Sequence, residues 1–154
     1  MGPGRGMRPP QGPESEPVQS AIPGDLSQGT NHLGWIENSE LLAGDTVHFE
    51  YDRSEVRSEE RSKVSAVADY LKSNPGNAVK IEGHCDERGT EEYNRALGER
   101  RALALREALI GMGVDAGRVD TVSFGKDRPV DPEHNNAAWE KNRRGVFVVL
   151  SPPK

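Results

Sequence analysis

Residues 78–113 read AVKIEGHCDERGTEEYNRALGERRALALREALIGMG, and the fold is decided there. Val79, Ile81 and Gly83 fall on one side of a period-two run, which predicts a strand from Ala78 to about His84. Thr90 is a helix cap, and Glu91 and Glu92 place carboxylates at the positive end of the helix dipole. The helix it opens carries Leu97, Leu105, Ala108, Leu109 and Met112 and stops at Gly111-Met112-Gly113. A strand followed by a capped helix is the first half of a strand–helix–strand unit.

Working outward, the same unit recurs upstream. Val47, Phe49 and Tyr51 alternate with His48, Glu50 and Asp52, the signature of a half-buried strand. Ser58 can cap a helix whose stripe is Val64, Val67, Ala68 and Leu71, ended by Asn74-Pro75-Gly76. Downstream, Val119 to Phe124 reads as a third strand. Asn135 or Asn136 caps a short helix through Trp139, and Gly145 to Leu150 reads as a strand covered on both faces. Phe49, Phe124 and Phe147 are core by alternation, and Trp139 is a packing anchor. The order β-α-β-α-β-(α)-β predicts an α/β (α+β) domain with a mixed four-stranded sheet and helices mainly on one face.

Composition sets the boundaries. Of 154 residues, 33% are hydrophobic and 29% charged, so part of the chain has too little apolar surface to be buried. Twelve Gly and Pro fall in the first 31 residues, where ordering would cost more than burial returns. Residues 1–45 are therefore expected to be a flexible Gly/Pro-rich tether and 46–154 the folded domain. Leu33, Trp35, Ile36, Leu41 and Leu42 give 33–45 enough apolar surface to dock on it.

No run is long and apolar enough for a membrane-spanning helix, and the first residues lack the apolar stretch of a signal peptide. The net charge of −5 argues against nucleic acid as a partner, and Arg143 and Arg144 read as structural or rim arginines. Nothing calls for a cofactor.

The chemistry concentrates in the loop Gly83-His84-Cys85-Asp86-Glu87-Arg88-Gly89-Thr90. Asn94 and Arg101, seven apart, share a helix face with Gly98 between them, which leaves room for something to lie across it. Asp86 and Arg101 would then bracket a groove with a negative and a positive end, suited to a zwitterion. The alternative is a solvated, salt-bridged surface. Cys85 beside His84 raises the possibility of a thiol nucleophile, but strand neighbours point to opposite faces, so a small buried residue is the better reading. His48, His84 and Cys85 match no standard metal spacing.

The segments IEGHCDERGTEEYNRALGERRA (81–102) and KNRRGVFVV (141–149) closely resemble the OmpA-like peptidoglycan-binding domain family and, within it, the peptidoglycan-associated lipoprotein (Pal) branch. VHFEYDRSEVR (47–57) resembles the family's opening strand and VSFGKDRPV (122–130) its third strand and turn, so the likeness covers roughly Thr46 to Leu150. The resemblance implies the OmpA-like fold and a pocket for the diaminopimelate of the peptidoglycan stem peptide. Asp86 would pair with the ammonium and Arg101 with the carboxylate, while Tyr51, Asp52, Arg88, Asn94 and Leu97 complete the pocket. On that basis Asp86→Ala or Arg101→Ala is expected to leave the fold intact and weaken binding by roughly tenfold or more.

The resemblance further implies a non-catalytic module at the periplasmic face of the outer membrane, with TolB as a partner and a lipidated N-terminal cysteine as membrane anchor. Cys85 is the only cysteine, so the anchor is expected to be absent from this chain, which would be soluble as given. The alternatives are a soluble domain of an OmpA-type porin or flagellar stator protein and, in a different class, a Cys-dependent cell-wall hydrolase.

Overall fold

The computed structural model describes residues 32–154, so residues 1–31 of the expected 1–45 tether lie outside the described residues. Its elements are β1 (Ile36–Asn38), β2 (Val47–His48), α1 (Arg61–Ser73), β3 (Ala78–His84), α2 (Glu91–Gly111), β4 (Val119–Gly125), α3 (Asn136–Asn142) and β5 (Arg144–Ser151). The sheet runs β1-β5-β3-β4, with β2 also pairing β5. β3 and β4 are parallel, joined by the α2 crossover, while β5 is antiparallel to β3, β1 and β2. The sheet is mixed, as expected, but has five strands instead of four.

The fifth is β1. All three of its side chains are exposed, so backbone pairing with Val149–Ser151 defines it, with no alternation for a sequence reading to detect. Leu42, a little further on, reaches the core at 5% exposure.

One hydrophobic core lies between the helices and one sheet face. Val64, Val67, Ala68 and Leu71 of α1 and Leu105 and Leu109 of α2 pack with Val79, Ile81, Phe147 and Val149. The two alternations, 3.6 in the helices and 2 in the strands, meet there. Phe49 and Phe147 join this core, but Phe124 does not: it sits half-buried on the opposite sheet face, stacked on His84.

Two local expectations are corrected. The strand at Val47 stops at His48 instead of running on to Asp52, because Glu50–Arg53 closes a turn and Asp52 adopts a φ of +59°. Ser58 opens a 3-10 turn, and α1 begins only at Arg61 without a side-chain cap. The carboxylate of Glu60, which a dipole argument places on the helix, accepts instead from the backbone N–H of His48 at 2.8 Å. The other caps are as read: Thr90 Oγ accepts from Tyr93 N–H, and Asn135 Oδ1 from Ala138 N–H.

Gly98 has a different role from the one its spacing suggests. It faces β3, and a Cβ built on Gly83 would meet the Gly98 carbonyl oxygen at 1.7 Å. The room between these glycines is filled by backbone, which lets α2 lie directly on the carboxyl end of β3. This close approach sets the site loop, residues 85–90, against the first turns of α2.

Candidate functional site

The loop after β3 is shaped by its own polar groups. Gly89 takes a φ of +102°, and the Asn94 side-chain amide donates to the carbonyls of Arg88 and Thr90, at 2.8 and 3.1 Å. Asp86 is thereby turned inward and is 4% exposed. Its Oδ1 accepts from the Arg88 backbone N–H at 2.9 Å and Nε at 3.2 Å, and its Oδ2 from Arg88 Nη2 at 2.9 Å. Arg143 Nη1 lies 3.5 Å from Oδ2. Burial pushes the carboxyl's pKa up, but the Arg88 hydrogen bonds and the Arg143 charge outweigh it and hold Asp86 below the usual carboxylate range.

Arg101 lies on the buried face of α2 and is itself fully buried. Its Nε donates to the Arg53 carbonyl at 2.8 Å, Nη1 to that of His84 at 2.9 Å and Nη2 to that of Glu50 at 3.1 Å. The guanidinium also lies 5.2 Å from the centre of the Phe49 ring. Among the described residues no carboxylate forms a salt bridge with it, and burial pulls its pKa below the ordinary arginine value. A guanidinium carries five N–H groups, of which these bonds use three, and the Cys85 sulfur is a further hydrogen-bond neighbour.

Tyr51, Asp52, Asp86, Arg88, Asn94, Leu97 and Arg101, the seven residues singled out in the sequence, line one cavity of about 50 Å³ together with Cys85, Gly89 and Tyr93. Within it the Arg88 guanidinium lies across Asp86. Asp86 and Arg101 do share a cleft, yet Asp86 is already engaged by a cation of the chain itself. Arg88, Arg101 and Arg143 surround the one buried carboxylate, while the second carboxylate of the lining, Asp52, is exposed.

Sequence reasoning missed several members. Tyr93 O–H donates to Asp52 and fastens the loop after β2 to α2, and its pKa is pushed up to about 12 by burial and by that carboxylate. Arg143 both contacts Asp86 and donates through Nε to the Phe49 carbonyl at 2.9 Å. Trp139 is half-buried on the rim instead of anchoring the core, and its Nε1–H donates to Glu87 at 2.9 Å. Aromatic residues flanked by charge were the available signal, but nothing local says which loop they meet.

Cys85 is 3% exposed, with Sγ donating to the Asn94 carbonyl at 3.2 Å, and burial raises its pKa to about 11. The His84 ring lies across the strand against Phe124 and Glu82, so it does not serve the thiol as a base. Among the described residues no three His, Cys, Asp or Glu are grouped to hold a metal ion.

Fold and cavity together define a small α/β domain with a charged pocket at the carboxyl end of a central strand. Residues 48–143 match the OmpA family, and the chain belongs to it. It is 40% identical over 128 residues to the peptidoglycan-associated lipoprotein of Brucella melitensis, covering 82% of this chain and 76% of that one. With that of Haemophilus influenzae it shares 47% over 103 residues, 67% of each chain. The crystal structure of the peptidoglycan-associated lipoprotein from Burkholderia pseudomallei superposes with a TM-score of 0.66 at 42% identity, over 68% of this chain and 88% of that chain. The OmpA-like domain of FopA1 from Francisella tularensis, at 22% identity and a TM-score of 0.63, shares the fold.

Proposed function

We propose that this chain binds peptidoglycan without catalysis, taking the diaminopimelate of a stem peptide in the cavity at Asp86 and Arg101. The observation that carries the reading is Arg101: a buried guanidinium whose carbonyl bonds use three of its five N–H groups, with no carboxylate partner among the described residues. An unpaired buried charge costs several kcal/mol, and an incoming carboxylate offsets that cost. Asp86, an ionised carboxylate in the same cavity, supplies the partner for the ammonium of the same ligand. The name carried by the Brucella, Haemophilus and Burkholderia relatives supports peptidoglycan as the source of that ligand.

On this reading the chain fastens the outer membrane to the cell wall from its periplasmic face, as a Pal of the Tol-Pal system with TolB as partner and a lipid anchor on the membrane side. The buried thiol with its raised pKa, set apart from His84, supports a binding role over hydrolysis.

Calorimetric titration with a diaminopimelate stem peptide and with its lysine analogue tests the pocket. The analogue lacks the second carboxylate and should bind roughly tenfold weaker or worse, the equivalent of about 1.5–3 kcal/mol for a charged hydrogen bond. Equal affinity for the two would remove Arg101 from recognition.

A further inference from the structure

The three arginines around Asp86 are not held alike. Arg101 is tied to three backbone carbonyls, and Arg143 to the carbonyl of Phe49. The hydrogen bonds of the Arg88 side chain go to Asp86, and its other contacts are aromatic. Its guanidinium lies 4.0 Å from the centre of the Tyr51 ring and 4.1 Å from that of Trp139. The side chain is 34% exposed, so its route to solvent is open.

What surrounds Arg88 comes from three separate parts of the chain. Tyr51 stands in the turn after β2, Trp139 on α3 and Asp86 after β3. Trp139 is fixed by its bond to Glu87, whose Oε1 also lies 2.7 Å from His134 Nδ1. Two aromatic faces and a buried carboxylate are the components of a receptor for an organic cation, the rings supplying negative π-faces and the carboxylate the counter-charge. Asp86 keeps the Arg88 backbone N–H and Arg143 when the Arg88 side chain leaves, so the receptor would survive its departure.

We propose that Tyr51, Trp139 and Asp86 form a cation box that Arg88 fills as a built-in stand-in, and that a ligand's ammonium binds by displacing it. Arg88 then opposes cationic ligands instead of gripping them. A ligand carrying only a carboxylate leaves the box closed, whereas a zwitterion must open it. The nature of the natural ligand rests on the function proposed above; the box itself does not.

The test uses Arg88→Ala and, to retain a polar side chain over Asp86, Arg88→Gln. Each is titrated with methylguanidinium chloride while the Trp139 indole N–H is followed by NMR, the signal being assigned through Trp139→Phe. Both variants should show a saturable shift at concentrations about tenfold below any response of the wild-type chain, and adding Asp86→Asn should abolish it. Variants that take the cation no better than wild type would overturn the box.

In a second arm, both variants should bind a diaminopimelate stem peptide more tightly than wild type. Weaker binding would mean that Arg88 holds the ligand directly, and the stand-in role would fail. A saturable methylguanidinium response with no peptide binding by any form would uphold the box and count against the diaminopimelate reading alone.

Discussion

At Arg101 one side chain has two tasks. Its three carbonyl bonds fasten the loop at Glu50 and Arg53 to the end of β3, and on the function proposed above its guanidinium also meets the ligand's carboxylate. Arg101→Met should therefore lose more than ligand. Three buried or part-buried carbonyls lose their donor at about 1–3 kcal/mol each, partly recovered where water enters, so a net loss of roughly 2–4 kcal/mol is expected in urea denaturation. A variant as stable as wild type would show the carbonyls to be solvated already. These bonds argue against the expectation that removing Arg101 spares the fold. The place of Arg101 in the cavity lining was legible from its spacing and its motif, but the carbonyl bonds were not. Two of the acceptors are backbone atoms 48 and 51 residues away, and nothing in the letters at 50 or 53 marks them as acceptors.

The elements that present the site depend on how closely α2 approaches β3. Gly83 and Gly98 meet backbone to backbone, and a methyl group on Gly83 would overlap the Gly98 carbonyl. Gly83→Ala should push α2 off the strand, costing about 1–3 kcal/mol or more and displacing Asn94, Leu97 and Arg101 together. The expected readout is a lower melting temperature coupled to weaker peptide binding; unchanged melting would show that the helix can shift freely. Thr90, Asn135 and the helical stripes were legible because caps and periodicities are local. Ser58 was misread because a competing long-range bond, His48 N–H to Glu60, decides how that turn is built.

At the scale of the molecule the sheet has two unlike faces. One carries the helices and the apolar core; the other carries ionisable groups, among them Asp120, whose Oδ2 lies 2.8 Å from His32 Nδ1. His84 sits there, with Nε2 3.1 Å from Glu82 Oε1 and Nδ1 buried without a partner among the described residues. Burial lowers its pKa, the Glu82 bond opposes that, and the charges of Arg144 and Arg128 add to the lowering. The sign follows: the unfolded chain takes up a proton near about pH 6.5 that the folded chain resists, so stability falls as pH drops through that range. His48, lowered by burial and by Lys63, acts in the same direction. Asp86 is depressed instead, and its contribution is lost only below the ordinary carboxylate range. The melting temperature should decline between about pH 7 and 5, and His84→Asn should flatten part of that slope. Parallel slopes in the two proteins would leave His84 without a role in it.

The sequence by itself determined the α/β order, the two helical stripes, the strands at 78–84 and 145–150 and, chiefly through its likeness to the OmpA-like family, seven of the ten residues that line the cavity. The elements follow from short-range rules of periodicity and capping, and the site residues from motif letters, all of which the chain carries in its sequence. Tertiary structure alone decided that β1 joins the sheet, that Arg101 is satisfied by carbonyls, and that Arg88 lies between Tyr51 and Trp139 over Asp86. Those facts depend on which backbone and side-chain groups meet after distant segments pack. That matching is settled by closure of the whole core, in which a buried charge or polar atom takes whatever partner the packing brings within reach.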